Sequence, residues 1–171
     1  MGFMVVFWFM SALQMMLDWV RGSGVFQRNR APLKVKVLSG TLCLSGLSYR
    51  RASRLVGGLS YAAVRDAFIV LRRALPKPER RVRRLIAVDE TKAKLGGEHV
   101  FIWAARGVDT KEVLAFRASL TRSSLDAEIF LKQVLECCEN RPLFLVDNVP
   151  WYRDAFERLG LEYRHETPEG A

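Results

Sequence analysis

Cysteine and histidine are scarce in this sequence. Three cysteines (Cys43, Cys137, Cys138) and two histidines (His99, His165) occur in 171 residues. The cysteine count is odd, two of the three are adjacent, and there is no Cys-x-x-Cys pair. That excludes a disulfide framework and a structural zinc centre, and it sets the expectation of a reducing, cytoplasmic compartment. Internal repeats and low-complexity runs are also missing. No basic segment precedes the first apolar run and no small-residue cleavage site follows it, so a secretory signal is a poor fit. Acids are the minority charge, 18 against 27 Lys and Arg, for a net charge of +9. This excess favours an anionic partner, nucleic acid or a membrane surface, over an acidic-substrate pocket or a neutral scaffold. With 50% hydrophobic and 26% charged residues, the chain is no disordered protein, and it is long enough to bury a core without staples.

The charge is unevenly spread. Residues 28–84 hold fifteen Lys and Arg against two acids, whereas 85–171 hold eleven against fifteen. The expected organisation is therefore an apolar segment with a linker at 1–27, a basic DNA-binding module at 28–84, and a mildly acidic core at 85–171. Sixteen of the first twenty residues are apolar. Three readings stand for residues 1–20: a bilayer span, which is not favoured, a helix packed all round inside a core, and an untranslated stretch ahead of a start at Met10, Met15 or Met16. Arg21-Gly22-Ser23-Gly24 then reads as a linker.

The basic region carries helix signals. Pro32 opens a segment with Leu33, Val35, Val37, Leu38 and Leu42 as its apolar positions, ending near Gly46. Ser48 is an N-cap for a helix over 49–56, and Ser60 caps a longer one ending near Leu75. Gly57-Gly58 separates the two. Two short helices joined by a glycine turn in a basic stretch match a helix-turn-helix. Tyr61 and Arg65 would then read the major groove. Arg50, Arg51, Arg54, Arg72 and Arg73 would meet phosphates, and Lys77, Arg80, Arg81, Arg83 and Arg84 would form a basic linker tracking the backbone.

The remainder reads as three strands, a helix, a strand, a helix and a strand. A short apolar run from Leu85 to Val88 ends in Asp89-Glu90, and Leu95-Gly96-Gly97-Glu98 is a hairpin turn. The second strand spans 100–106 and the third 112–117. Ser123 or Ser124 caps a helix to Cys138, and Leu143 to Val146 is a second buried strand ending in an aspartate, Asp147. Pro150 opens a helix closed by Gly160, and the last strand is expected over 161–164. Carboxylates at the ends of neighbouring strands can hold divalent ions between them, as phosphoryl transfer on DNA requires.

The stretches LIAVDETKAKLGG, SSLDAEIFLKQVLE and PLFLVDNVPWYRDAFERLGLEYRHET resemble the DDE-type transposases of prokaryotic insertion sequences, close to the archaeal members. The resemblance covers about Lys34 to Thr167. It implies an α/β fold: an RNase H-like mixed sheet with flanking helices, preceded by an all-α helix-turn-helix module. It implies Mg²⁺ or Mn²⁺ held by two aspartates and a glutamate. The aspartates fall on Asp89 and Asp147, 58 positions apart. The third acid belongs on a helix after the last strand. Glu166 and Glu169 come too early for it, so no third catalytic acid is assigned. A truncated or frameshifted copy, inactive alone, is expected. The implied partner is double-stranded DNA at transposon ends, bound by at least a dimer. The alternative is a non-catalytic DNA-binding remnant, or an inhibitor of full-length transposase.

Overall fold

The computed structural model describes residues 11–165 except 29 and 148. Among them the chain forms α1 (Ala12–Ser23), α2 (Leu33–Leu44), α3 (Tyr49–Val56), α4 (Tyr61–Ala74), β1 (Leu85–Leu95), β2 (Glu98–Gly107), β3 (Val113–Ser119), α5 (Ser124–Leu135), β4 (Leu143–Val146), α6 (Pro150–Leu159) and β5 (Tyr163–His165). The architecture is mixed α/β. One five-stranded sheet has the order β3-β2-β1-β4-β5. β1, β2 and β3 pair antiparallel, while β4 joins β1 in parallel and β5 joins β4 in parallel.

Local chemistry explains the boundaries. Ser48 and Ser60 accept hydrogen bonds from the backbone N–H groups of Arg51 and Ala63, capping α3 and α4. Ser123 and Asp126 form a reciprocal capping box that starts α5. Leu95 pairs with Glu98 across Gly96-Gly97, whose φ angles are 58° and 89°. Two consecutive left-handed residues twist a two-residue turn to match its strands, and glycine adopts that conformation without a Cβ clash.

The sheet is covered on both faces, which is why β2 reads as a continuous apolar run rather than an alternation. Val100, Ile102 and Ala104 share a core with α1–α4. Phe101, Trp103 and Ala105 face the second core, with α5 and α6. The helices of the basic region thus pack directly on the sheet.

Several expectations need correction. β1 does not stop at Asp89-Glu90; it runs on to Leu95, because β2 continues to pair with it through Asp89↔Ala104 and beyond. The alternation in Thr91-Lys92-Ala93-Lys94-Leu95 is the sequence signal for that extension. Arg21-Gly22-Ser23 belongs to α1, which closes at Gly24 in a left-handed cap. α5 ends at Leu135, β3 begins at Val113, and β5 begins at Tyr163. Of the apolar start, residues 1–10 lie outside the described residues. The rest forms α1, which buries Ala12, Met16, Leu17 and Val20 in the first core. No helix among the described residues is long and apolar enough to cross a membrane.

Candidate functional site

Asp89 and Asp147 meet at the β1–β4 seam. The parallel ladder between these strands ends at Ala87↔Leu145. Each aspartate lies two residues beyond: Asp89 is still within β1, on the face of Ala87, and Asp147 follows the end of β4, near enough for its charge to act on Asp89. The same face receives α1: the Ala12 N–H donates to Asp89 Oδ2 at 3.0 Å, and the Leu13 N–H to Thr91 Oγ1 at 3.5 Å. Glu90, one residue along, points to the opposite face. There it pairs with Arg122 Nη1 at 3.2 Å, and the Arg122 guanidinium lies 4.1 Å over Trp151 and 5.1 Å over Phe101.

Burial dominates the electrostatics. It pushes the Asp89 pKa up to about 6; the Ala12 N–H opposes that rise, the Asp147 charge adds to it, and the Glu90 N–H opposes it. Glu90 is pushed to about 7, again by burial first. The Arg122 charge holds it down, the Asp89 charge raises it, and hydrogen bonding to Arg122 lowers it. Tyr152, on α6, is held well above its ordinary range by burial and then by the charges of Glu90, Asp89 and Asp147. Its hydroxyl is buried without a hydrogen-bond partner.

Two carboxylates at this seam are hard-oxygen donors of the kind Mg²⁺ and Mn²⁺ take. The fit extends to two protein ligands. No group of three His, Cys, Asp or Glu that could hold a metal ion occurs among the described residues. Glu166 and Glu169 lie outside those residues.

The expected DNA contacts divide into two sets. Arg50, Arg51 and Arg54 on α3, Tyr61, Arg65, Arg72 and Arg73 on α4, and Lys77 beyond it are all exposed. Tyr61 stacks edge-on against Tyr49, with ring centroids 5.7 Å apart. The linker basics are engaged within the protein. Arg83 is only 5% exposed, and its guanidinium donates to Cys137 O, Glu79 O and Glu112 Oε2. It has no surface for a phosphate, and its place as a DNA contact is withdrawn. Arg80 donates to Cys138 O, Arg81 pairs with Glu112, and Arg84 pairs with Asp109, although these three remain exposed. The backbone explains the change: Arg81 forms a parallel bridge with Cys138, docking the segment on the end of α5.

Sequence reasoning did not single out Ala12, Glu90, Thr91, Arg122 or Tyr152. Glu90 and Thr91 lie beside Asp89 in the VDET motif, and Tyr152 lies in V-P-W-Y, so neighbourhood to the aspartates was the available signal. Arg122 carried none.

No family model matches the chain. An uncharacterized protein of Methanocaldococcus jannaschii is 41% identical over 142 residues, which cover 81% of this chain and 66% of that protein. The chain thus spans just under two thirds of that relative's length. Among solved structures, a cryo-EM structure of the simian T-cell lymphotropic virus intasome, in complex with a PP2A regulatory subunit, aligns with a TM-score of 0.43 at 13% identity. That alignment covers 77% of this chain and 53% of the other.

Proposed function

We propose that this chain is a transposase-derived DNA-binding protein. It has an RNase H-like core with two of the acids of a divalent-metal site for DNA strand cleavage and strand transfer. The observation that supports the reading is that Asp89 on β1 and Asp147 just after β4 each follow the last pair of the shared parallel ladder by two residues, near enough for the Asp147 charge to raise the Asp89 pKa. In that reading α3 and α4 hold duplex DNA at transposon ends, with the exposed arginines on phosphates and Tyr61 and Arg65 against base edges. Asp89 and Asp147 hold Mg²⁺ or Mn²⁺. When bound, such ions supply an activated attacking oxygen and a stabilised leaving oxygen. Asp89, with its pKa near 6, would be largely ionised at pH 7.

A second reading, a non-catalytic DNA-binding protein that acts on or with a full-length transposase, is favoured by the lack of a third acidic ligand among the described residues. The two share the DNA interface and differ in catalysis. The test is anisotropy on duplex DNA with and without Mn²⁺, in wild type and in the Asp89→Asn and Asp147→Asn variants. Tighter binding with Mn²⁺ that needs both aspartates supports the metal-bearing core. DNA binding indifferent to Mn²⁺ favours the second reading, and no DNA binding overturns both.

A further inference from the structure

We propose that duplex DNA held on α3 and α4 is gripped a second time by the outer face of the β1–β2 hairpin, with Lys92 and Lys94 on its phosphates. The inference rests on the DNA-binding reading and extends it from the helices onto the sheet. Strand alternation decides which side chains share a face. Lys92 pairs with Phe101 and Lys94 with His99 across the antiparallel ladder, so these four side chains stand on one side of the hairpin. Phe101 still belongs to the core with α5 and α6. Beyond it Lys92, Lys94 and His99 are all exposed. Neither lysine is taken up by an ion pair among the described residues. The hairpin acid Glu98 pairs with Leu95 and so belongs to the opposite side. Arg122, 5.1 Å over Phe101, ends the row, and its charge is spent on Glu90.

The other side of the hairpin fixes it to the helices. Leu95 and Val100 share the first core with Leu55, Val56 and Leu59, which end α3 and lead into α4. At the tip, Gly96 abuts the Leu55 carbonyl so closely that a Cβ would collide with it. The exposed Arg54 directly precedes Leu55, and Lys94 stands two residues before Gly96. The arginines of α3 and the lysines of the hairpin are therefore neighbours joined by packed contacts, and their charges add to one field. Lys92 and Lys94 lie about 6.8 Å apart along β1, roughly two phosphate rises of a DNA strand.

The test uses the full chain and anisotropy on duplex DNA between about 50 and 200 mM salt. Each phosphate contact contributes about 0.9 to the slope of log affinity against log salt. In Lys92→Ala/Lys94→Ala the loss of affinity across that range should therefore be about tenfold smaller than in wild type. Both side chains are exposed, so the unfolding midpoint should stay where it is. Arg51→Ala, which removes a contact of the helices alone, is the reference and should lower the slope by about 1. In wild type, where folding of a variant is not at issue, bound duplex should protect Lys92 and Lys94 from acetylation relative to Lys111, beyond the other end of β2. An unchanged slope in the double variant, or lysines as reactive with DNA as without it, overturns the hairpin contact. The DNA-binding reading still stands in that case if Arg51→Ala lowers the slope. No salt-dependent DNA binding by wild type overturns both.

Discussion

Arg83 Nη1 donates to Glu112 Oε2 at 2.9 Å, and the arginine side chain is 4% exposed. Three of the five N–H donors of this buried guanidinium are placed, Cys137 O and Glu79 O taking the other two. The pair ties the segment before β1 to the start of β3. Arg83→Ala should cost about 2–4 kcal/mol in chemical denaturation, because it leaves Glu112 and two carbonyls short of donors. Arg84→Ala, which removes an exposed pair with Asp109, should leave the denaturation midpoint unchanged.

DNA affinity should depend on the exposed set instead. Log affinity for duplex DNA is expected to fall linearly with log salt, because neutralised phosphates release counterions. Arg72→Ala should weaken all duplexes about equally and reduce the salt slope by about 1. Arg65→Ala should flatten the preference between sequences. Anisotropy titrations across a salt series measure both.

How far all this is legible in the sequence differs by element. Period and caps were enough for α3, α4 and α6, because Ser48, Ser60 and Pro150 mark local events. The Asp89 position was harder. An apolar run followed by two acids looks like a strand end, and only the partner strand, continuing past Ala104, keeps β1 extended. Arg83 departs from the expectation for a similar reason: charge density reads as surface, whereas Arg83 is drawn inward by Glu112, 29 residues away. The contact of α1 with Asp89 spans 77 residues and involves a backbone N–H, which leaves no trace in residue types.

The hairpin tip is a tight spot. A Cβ on Gly96 would collide with the Leu55 carbonyl oxygen at the end of α3, and its φ of 58° disfavours a side chain as well. Gly97 has open space but a φ of 89°. Gly96→Ala should cost more than about 2 kcal/mol and Gly97→Ala about 1 kcal/mol, read from thermal or denaturant unfolding.

Glu90 should make stability depend on pH in a defined direction. Its folded pKa, about 7, lies above its ordinary value, so the folded chain binds this proton more tightly than the unfolded one. The stabilisation is full below the unfolded value and is lost as pH rises through about 7. Glu90→Gln removes the titration. Relative to wild type it should gain stability between pH 4.5 and 8, by at most about 3 kcal/mol. Denaturation midpoints of the two proteins across that range test it; a constant difference contradicts the buried-acid account.

The account's central claim is that Asp89 and Asp147 share one divalent ion. Electron paramagnetic resonance of Mn²⁺ titrated into wild type, Asp89→Asn, Asp147→Asn and the double variant tests it directly. Two ligands of one ion act as a unit, so each single substitution should remove as much binding as both together. The account predicts one weak Mn²⁺ site lost equally in all three variants. Binding that survives the substitutions, or losses that add as for two separate sites, would contradict it.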